Sequence, residues 1–278
     1  DKVEIWLPIV ELPNLAKLLK EDNKKITSYK DYLSIKPKYK SKTSAFVPIG
    51  NGCDNFCTYC VVPYARGREV YRDYNEIYDE VKFLIKNNYK EIILIAQNVN
   101  SYKFKISNFK FQFNFKFFND SKNINFAGLL ELINSIEGDF LIYFATSHPK
   151  DMSDELIDVI ANCEKVSKHI HLPAQSGDDE ILKRMNRKYT RDDYLKLIKK
   201  IKNKIPGYSI TTDIIVGFPG ETRAQFENTA KLFREVGFDM AYIAQYSPRY
   251  GTAAFKLKDN VSRDEKKRRE KELLELLI

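Results

Sequence analysis

Hydrophobic and polar residues alternate between two patterns from residue 44 onward. Six short runs are rich in β-branched and aromatic residues, which is typical of strands, and they span residues 44–50, 91–96, 140–146, 169–174, 208–217 and 240–247. Between these runs, apolar residues recur every three or four positions and predict amphipathic helices, as in Ile77, Val81 and Leu84; Leu129, Leu132, Ile133 and Ile136; Leu156, Val159 and Ile160; Tyr194, Leu197, Ile198 and Ile201; and Phe226, Ala230 and Phe233. Thr190, with Asp193 three residues later, predicts a capping box at the start of one helix.

Strands that each precede a helix predict an α/β fold with a parallel sheet and right-handed crossovers. A closed barrel of this kind has eight strand–helix units. Six units therefore favour an incomplete barrel, a partial (β/α)6 TIM-like barrel. Because sites in such barrels lie at the C-terminal ends of the strands, the six segments that follow the strands are expected to line one pocket.

Length and charge narrow the class of protein. A chain of 278 residues, 43% of them hydrophobic, can bury a large core. It contains no apolar run long enough to span a bilayer, and its start lacks the features of an export signal, so we expect a cytoplasmic protein without a membrane segment. The net charge of +8 suits simple solubility or a polyanionic partner. Arg66 and Arg68 favour RNA, and pairing with Glu69 is the simpler alternative.

Three of the four cysteines, Cys53, Cys57 and Cys60, lie within eight residues of one another. A structural zinc site has four ligands, and no fourth ligand lies beside these three. An iron–sulfur cluster with three protein ligands leaves one iron free to bind another molecule. The spacing therefore favours an iron–sulfur cluster over zinc. Cys163 lies on a predicted helix, where a buried structural thiol is expected, and disulfides are not expected.

The stretch "CDNFCTYC" resembles the signature of radical S-adenosylmethionine (SAM) enzymes, in which three cysteines hold a [4Fe-4S] cluster whose fourth iron chelates SAM. Residues 39–260 resemble the core of the methylthiotransferases, through the motifs "CTYCVVPYARGRE", "QNVNSY", "HLPAQSGDDEILKRMNRKYTR", "TTDIIVGFPGET" and "YSPRYGT". Within that family, "QNVNSY" and "YARGRE" resemble the MiaB-like branch, which methylthiolates N6-isopentenyl-adenosine beside the tRNA anticodon.

The resemblance implies two sets of site residues. The cluster ligands are Cys53, Cys57 and Cys60. The residues that would contact SAM are Tyr59 at the adenine, Gln175, Arg187 at the carboxylate, and Asp213 at the ribose hydroxyls. A guanidinium suits a carboxylate because it donates two parallel hydrogen bonds. For Gln175, Arg187 and Asp213 the simpler alternative is a hydrogen bond at a strand end or a surface ion pair. For Tyr59 it is a ring that caps the cluster, and both roles are compatible.

Two turns after strands have more than one interpretation. Gly217 and Gly220 either lie close to the SAM adenine or form an ordinary turn that needs unusual backbone angles. His148, followed by Pro149, belongs either to the site or to a turn in which the histidine is satisfied by local hydrogen bonds.

The resemblance also predicts the domain organisation. Family members begin with a domain whose cysteines hold a second, auxiliary [4Fe-4S] cluster, and they finish with an RNA-binding TRAM domain. Residues 1–38 resemble the end of that first domain and a linker, residues 39–260 the radical SAM core, and residues 261–278 a helix leading toward the TRAM domain. We expect a fragment or a shortened form, in which the auxiliary cluster has no ligands and full activity is an open question.

Residues 103–126 alternate phenylalanine with lysine, glutamine or asparagine and predict an exposed β-hairpin. A loop insertion of biased composition is the favoured interpretation, and an RNA-stacking surface is the alternative.

The predicted function is conversion of N6-isopentenyl-adenosine next to the anticodon to its 2-methylthio derivative. A monomer is expected, with the tRNA anticodon stem-loop as substrate and flavodoxin or ferredoxin as a low-potential electron donor. One alternative is a methylthiotransferase that acts on N6-threonylcarbamoyl-adenosine or on a ribosomal protein aspartate. The other, from a different class, is a non-catalytic zinc-stabilised RNA-binding module.

Overall fold

Strands and helices alternate along the part of the chain that the structure, a computed structural model, describes: residues 33, 37–106, 116 and 122–277. The strands are β1 Ser44–Pro48, β2 Gly50–Asn51, β3 Val70–Tyr71, β4 Glu91–Ile95, β5 Lys103–Lys105, β6 Asn123–Asn125, β7 Leu141–Phe144, β8 His169–His171, β9 Ser209–Val216 and β10 Met240–Gln245. The α-helices are α1 Val62–Arg66, α2 Tyr74–Lys86, α3 Phe126–Asn134, α4 Asp154–Asn162, α5 Asp179–Arg184, α6 Arg191–Lys204, α7 Arg223–Val236 and α8 Arg263–Leu274.

The six predicted strands all form and run parallel. β4 lies between β1 and β7, and β9 lies between β8 and β10. The two halves are joined just before β8, where Ile142 N donates to Lys165 O at 2.7 Å and Ser167 N donates to Ile142 O at 2.9 Å. The resulting strand order, β1-β4-β7-β8-β9-β10, confirms the predicted partial (β/α)6 barrel.

The helices bury the apolar positions that predicted them. Ile77, Val81 and Leu84 on α2 are fully buried, and each buried side chain of this size contributes about 1.5–3 kcal/mol. The predicted capping box is also present, because the Thr190 side chain accepts from Asp193 N while the Asp193 carboxylate accepts from Thr190 N. None of the helices within the described ranges is long and apolar enough to cross a membrane.

The ends of segment 103–126 pair as predicted. β5 and β6 are antiparallel, with Phe104 opposite Ile124. The base of this hairpin is exposed only in part, because Lys103 and Lys105 are exposed whereas Ile124 is fully buried against the core. The rest of the segment lies outside the described residues, apart from residue 116, as do residues 1–32 of the predicted first domain.

Helix α8, within the predicted C-terminal segment 261–278, packs against the barrel. It contacts β10, β9 and α7. Leu273 is fully buried, and the long side chains of Lys266 and Arg269 are also buried. In this position the helix forms part of the barrel wall beside the turn that follows β9.

Candidate active site

The three cysteines lie on residues 52–60, between β2 and α1, which we call the cluster loop. It begins at Gly52, whose backbone N donates to the Gln97 side-chain oxygen at 2.6 Å. Gly52 has a φ of +82°, and an added Cβ would lie 2.1 Å from the backbone oxygen of Arg68. Only glycine fits this conformation and this space, and it sets the position from which Cys53 leaves β2.

Replacing Gly52 with alanine is expected to destabilise the fold by more than about 2 kcal/mol, because a collision with a backbone oxygen adds to the strain of a left-handed residue. Gly207→Ala is the matched control, since Gly207 has a φ of +66° with nothing within 4 Å of an added Cβ. Urea unfolding of both variants, with the iron retained after reconstitution, tests this. Equal losses of stability would show that the collision is relieved without cost.

The far side of the cluster loop is held by the residues that end α5. Thr58 donates through its backbone N to Met185 O at 3.0 Å and through its hydroxyl to Arg184 O at 2.8 Å. The Asn186 side-chain amide donates to two carbonyl oxygens of the loop, Asn55 O and Phe56 O, each at 3.0 Å. The loop is therefore fixed at both ends by other elements of the barrel.

Burial affects the three thiols unequally. Cys57 is buried, whereas Cys53 and Cys60 are half-buried. Burial raises the pKa of Cys53 to about 11 and also raises the pKa of Cys60. Because cysteine binds metal as the thiolate, a bound cationic centre has to supply the charge that removes these protons.

The cluster loop offers three thiols to a metal centre. Within the described ranges, no three His, Cys, Asp or Glu side chains converge on one metal ion, whereas zinc would need ligands about 2.3 Å from its centre. An iron–sulfur cluster is larger and bridges thiolates that lie farther apart. Three thiols on one anchored loop match the number of protein ligands in a [4Fe-4S] cluster with an open iron, and they are one fewer than a structural zinc site needs.

Cys163 lies away from the cluster loop, at the C-terminal cap of α4. Its side chain is buried, and burial raises its pKa to about 11. This is the environment of the structural thiol that the sequence predicts.

Arg187 lies directly beside the cluster loop. Its Nη1 is 3.5 Å from Cys57 Sγ, its Nη2 donates to Pro173 O at 2.8 Å, and its Nε donates to the Tyr189 hydroxyl at 2.8 Å. Burial acts to lower the pKa of Arg187, but Tyr189, Tyr59 and Cys57 together raise it above its ordinary value. A permanent positive charge therefore faces the buried thiol. The predicted contact with the SAM carboxylate stays a prediction.

The other predicted SAM residues lie on three different elements: Tyr59 on the cluster loop, Gln175 after β8, and Asp213 within β9. Gln175 N donates to Asp213 O at 2.8 Å, and Gln175 has a φ of +66°, which is strained for a residue other than glycine. The Gln175 side chain makes no hydrogen bond to another described residue and is available to a ligand. Asp213 Oδ2 lies 3.4 Å from His171 Nε2. Tyr59 packs against the buried hydrophobic cluster that includes Phe218, and burial raises the pKa of Tyr59 well above its ordinary value.

Sequence reasoning missed the residues that position these groups. The Tyr189 hydroxyl donates to Ala174 O at 2.8 Å and accepts from Arg187, so it links the fourth strand exit to the cluster loop. Arg184 donates to Pro219 O and lies over the Phe218 ring. Both residues are in the stretch "LKRMNRKY", where only Arg187 was singled out, because their partners are distant in sequence.

The turn after β9 is fixed by helix α8. Gly217 has a φ of +71°, and an added Cβ would lie 2.4 Å from Lys266 Cγ. Gly217 N donates to Glu221 Oε2 at 2.7 Å, and the same oxygen lies 2.6 Å from Arg269 Nη1. The Glu221 and Arg269 side chains are both buried. This turn therefore needs glycine for close packing, whether or not it also approaches a cofactor.

The motif "QNVNSY" joins loops together. The Asn100 amide donates to His148 O at 3.0 Å and accepts from His148 N at 2.9 Å. The Asn98 amide donates to Asp151 at 2.8 Å, and Gln97 holds Gly52. These side chains orient the exits of the first three predicted strands relative to one another.

His148 is buried and uncharged. Its Nδ1 accepts from Lys150 N at 3.2 Å, which satisfies the ring locally. Burial, with the nearby Arg187 and Lys150, lowers the pKa of His148 from 6.5 to about 2. The interpretation as a turn with a satisfied histidine is thus supported.

The free energy of unfolding is expected to fall by about 1.4 kcal/mol per pH unit below about pH 6.5 on account of His148. The unfolded chain takes up a proton on this side chain in that range, whereas the folded chain does not. His148→Asn keeps a hydrogen-bond acceptor and should make the pH dependence shallower. Urea unfolding of the metal-free protein between about pH 7 and 5 measures this, with His169→Asn, an exposed site, as control. Parallel slopes in wild type and His148→Asn would contradict it.

Arg66 and Arg68 have partners other than Glu69. Arg68 forms an ion pair with Asp54 at 2.7 Å, and Arg66 donates to the Asn51 side chain at 3.2 Å. Arg68 stays largely exposed despite this pair.

A cavity of about 530 Å³ opens on the inner face of the sheet. Side chains from five of the six barrel strands line it, including Ile93, Tyr143, His171, Thr211 and Tyr242. A smaller cleft of about 120 Å³ lies beside the cluster loop, between Asn55, His148 and Lys188. Most of the lining of the larger cavity comes from residues within the strands, with Ala145 and Thr146 from the exit of β7, and the predicted pocket shared by all six exits stays a prediction.

Comparison with known proteins agrees with this fold and site. Residues 47–233 match the model of the Radical SAM superfamily, so the chain belongs to this superfamily. Two solved structures share the fold. Coproporphyrinogen III oxidase (HemN) from Escherichia coli, a radical SAM enzyme, has a TM-score of 0.57 and 16% sequence identity, and the match covers 94% of this chain and 59% of that chain. The radical SAM methyltransferase TsrM from Kitasatospora setae has a TM-score of 0.56 and 17% identity, and the match covers 73% of this chain and 36% of that chain.

Curated relatives are more similar in sequence. A protein of Clostridium tetani named tRNA-2-methylthio-N(6)-dimethylallyladenosine synthase is 49% identical over 86% of this chain and 49% of its own length. Its namesake in Clostridium botulinum is 45% identical over 99% of this chain and 60% of its own length. The chain spans about half to three-fifths of the length of these relatives. Its cofactors are those of the superfamily, a [4Fe-4S] cluster and SAM.

Proposed function

We propose that this chain is the radical SAM core of a methylthiotransferase that converts N6-isopentenyl-adenosine beside the tRNA anticodon to its 2-methylthio derivative. The observation that carries the proposal is identity of 45–50% with proteins named for this reaction, over 85% or more of the chain. The anchored three-thiol loop supports it independently, because radical formation from SAM needs a cluster with an open iron.

The residues have separable roles in this proposal. Cys53, Cys57 and Cys60 hold the cluster, which together with SAM supplies the radical that removes hydrogen from C2 of the adenine. Arg187 keeps positive charge beside Cys57, where it stabilises negative charge on the thiolate. The free side chain of Gln175, after β8, and the carboxylate of Asp213, within β9, bind SAM. The buried packing around Tyr59 and Phe218 excludes water from the same region.

The partners and domains belong to the same proposal. The substrate is the tRNA anticodon stem-loop. The chain acts as a monomer in the cytoplasm, and a low-potential protein such as flavodoxin or ferredoxin donates electrons to it. Residues 1–38 close a preceding domain, residues 39–260 form the radical SAM core with 103–126 as a loop insertion, and 261–278 lead toward an RNA-binding domain. The sulfur is supplied through an auxiliary cluster, as the resemblance to the methylthiotransferases implies.

Deletion of the gene, followed by mass spectrometry of tRNA nucleosides, tests the function. The deletion strain is expected to lose 2-methylthio-N6-isopentenyl-adenosine and to accumulate N6-isopentenyl-adenosine. Restoring the gene should restore the methylthio group, whereas a gene that encodes Cys57→Ala should not. The proposal would be overturned if the deletion strain kept its 2-methylthio-N6-isopentenyl-adenosine and lost methylthiolated threonylcarbamoyl-adenosine instead.

A further inference from the structure

Two pairs of aromatic rings with exposed members flank the cluster loop. Phe56 and Tyr64 meet edge to face with ring centroids 6.1 Å apart, and Tyr250 and Phe255 meet in the same way at 5.5 Å. Tyr64 is 58% exposed and Tyr250 is 86% exposed. We call these four rings, with Arg68 and Arg249, the aromatic rim. Large rings exposed in pairs beside a site are typical of a binding surface.

The aromatic rim is fixed to the loop that carries the cysteines. Ala254 N donates to Thr58 O at 2.8 Å, so the segment after β10 is joined to the cluster loop by its backbone. Phe255 directly follows Ala254, and Phe56 lies two residues before Thr58. Ala254 itself is fully buried. A molecule bound on the rim is therefore held at a set distance from the cluster.

The rim is accompanied by positive charge. The Arg68 guanidinium lies 5.7 Å from the centre of the Phe56 ring, and its side chain is 76% exposed. Arg249, next to Tyr250, is exposed and forms no ion pair with another described residue, and the same holds for Lys256, next to Phe255. Arg68 is paired with Asp54, so the unpaired charge of this surface comes from Arg249 and Lys256. Exposed rings beside these cations suit a polyanion that also carries flat, apolar groups.

We propose that the aromatic rim binds unpaired bases of a single-stranded RNA loop, with the rings stacked on bases and the cations on phosphates. Stacking on aromatic side chains tolerates any base, and arginine and lysine position the backbone. In an edge-to-face pair, the ring that contributes its edge keeps both faces free of its partner, which leaves a surface for a base. This inference rests on the proposed function and adds where the RNA lies relative to the cluster.

Fluorescence anisotropy with a labelled RNA hairpin, whose loop contains adenosine, tests the rim. The double variant Tyr250→Leu, Phe255→Leu is expected to weaken binding by about tenfold or more, because leucine removes the stacking face and keeps an apolar side chain. Tyr250→Phe keeps the ring and should bind like wild type. Phe83→Leu is the matched control, since Phe83 is 61% exposed on the outer surface of α2. Fully paired RNA should bind more weakly than the hairpin.

Thermal unfolding of each variant checks that it is folded. RNA affinity that is the same in the double variant, or absent in the unsubstituted chain, would overturn the assignment. If RNA affinity is unchanged but reduction of the cluster by flavodoxin slows, the rim docks the reductant and the RNA assignment is wrong. The mass spectrometry of tRNA nucleosides tests the proposed function without the rim variants. If only the rim assignment is wrong, the deletion strain still loses the methylthio group, and if the proposed function is wrong, it does not.

Discussion

Replacing Cys57 with alanine is expected to abolish both cluster binding and SAM cleavage. Cys57 is the most buried of the three thiols and lies 3.5 Å from the Arg187 guanidinium. Without it, two thiols on the cluster loop are left to hold the cluster, and the arginine loses its anionic neighbour. After anaerobic reconstitution with iron and sulfide, the variant should retain little iron and form no 5′-deoxyadenosine from SAM and dithionite above the background without protein.

Cys163→Ala provides the control for this prediction. Cys163 is equally a buried cysteine, but it lies at the end of α4 and away from the cluster loop. This variant should bind iron and cleave SAM like wild type, with a modest loss of stability from the small cavity that it creates. If both variants lost cluster and activity to the same extent, the assignment of the ligands to the cluster loop would be wrong.

Replacing Arg269 with alanine is expected to lower the free energy of unfolding by about 3–5 kcal/mol. The substitution leaves the buried Glu221 carboxylate without its cationic partner, and burial already raises the pKa of Glu221. The same carboxylate accepts from Gly217 N, so the turn after β9 should also lose its fixed geometry. Urea unfolding measures the first effect, and the affinity for SAM measures the second.

Arg268→Ala is the matched control, one residue away on the same helix. Arg268 is half exposed and pairs with Glu265 and Glu272 at the surface, where solvent screens the charges, so its loss should cost far less stability than the loss of Arg269. A variant in which both Arg269 and Glu221 are replaced by methionine should recover much of the lost stability, because no unpaired charge remains buried. Equal effects of Arg268→Ala and Arg269→Ala would contradict a dominant role for the buried pair.

The strand and helix pattern was predictable because it is written in local periodicity. The six strands of the barrel lie within the predicted runs, and the helix at Thr190 begins at its capping box. Both signals depend on residues close together in sequence. The burial of Cys163 followed for the same reason, since an apolar helical pattern surrounds it.

The contacts that shape the site could not be predicted, because they join residues distant in sequence. The bond between Asn100 and His148 and the pair of Glu221 with Arg269 each span 48 residues. For Arg66 and Arg68 the alternative to RNA was pairing with the neighbouring Glu69, whereas Arg68 pairs with Asp54, 14 residues away in sequence. The role of α8 in the barrel wall was hidden by its highly charged sequence, in which long basic side chains do the packing.

The most direct test of the central claim is the fate of the C2 hydrogen of the substrate adenine. The reconstituted protein is incubated anaerobically with SAM, dithionite and a hairpin RNA whose loop carries N6-isopentenyl-adenosine deuterated at C2. If this site acts on that carbon, deuterium appears in the 5′-deoxyadenosine that is formed, as mass spectrometry would show. Formation of 5′-deoxyadenosine without deuterium would contradict the account, because the radical would then act on another atom.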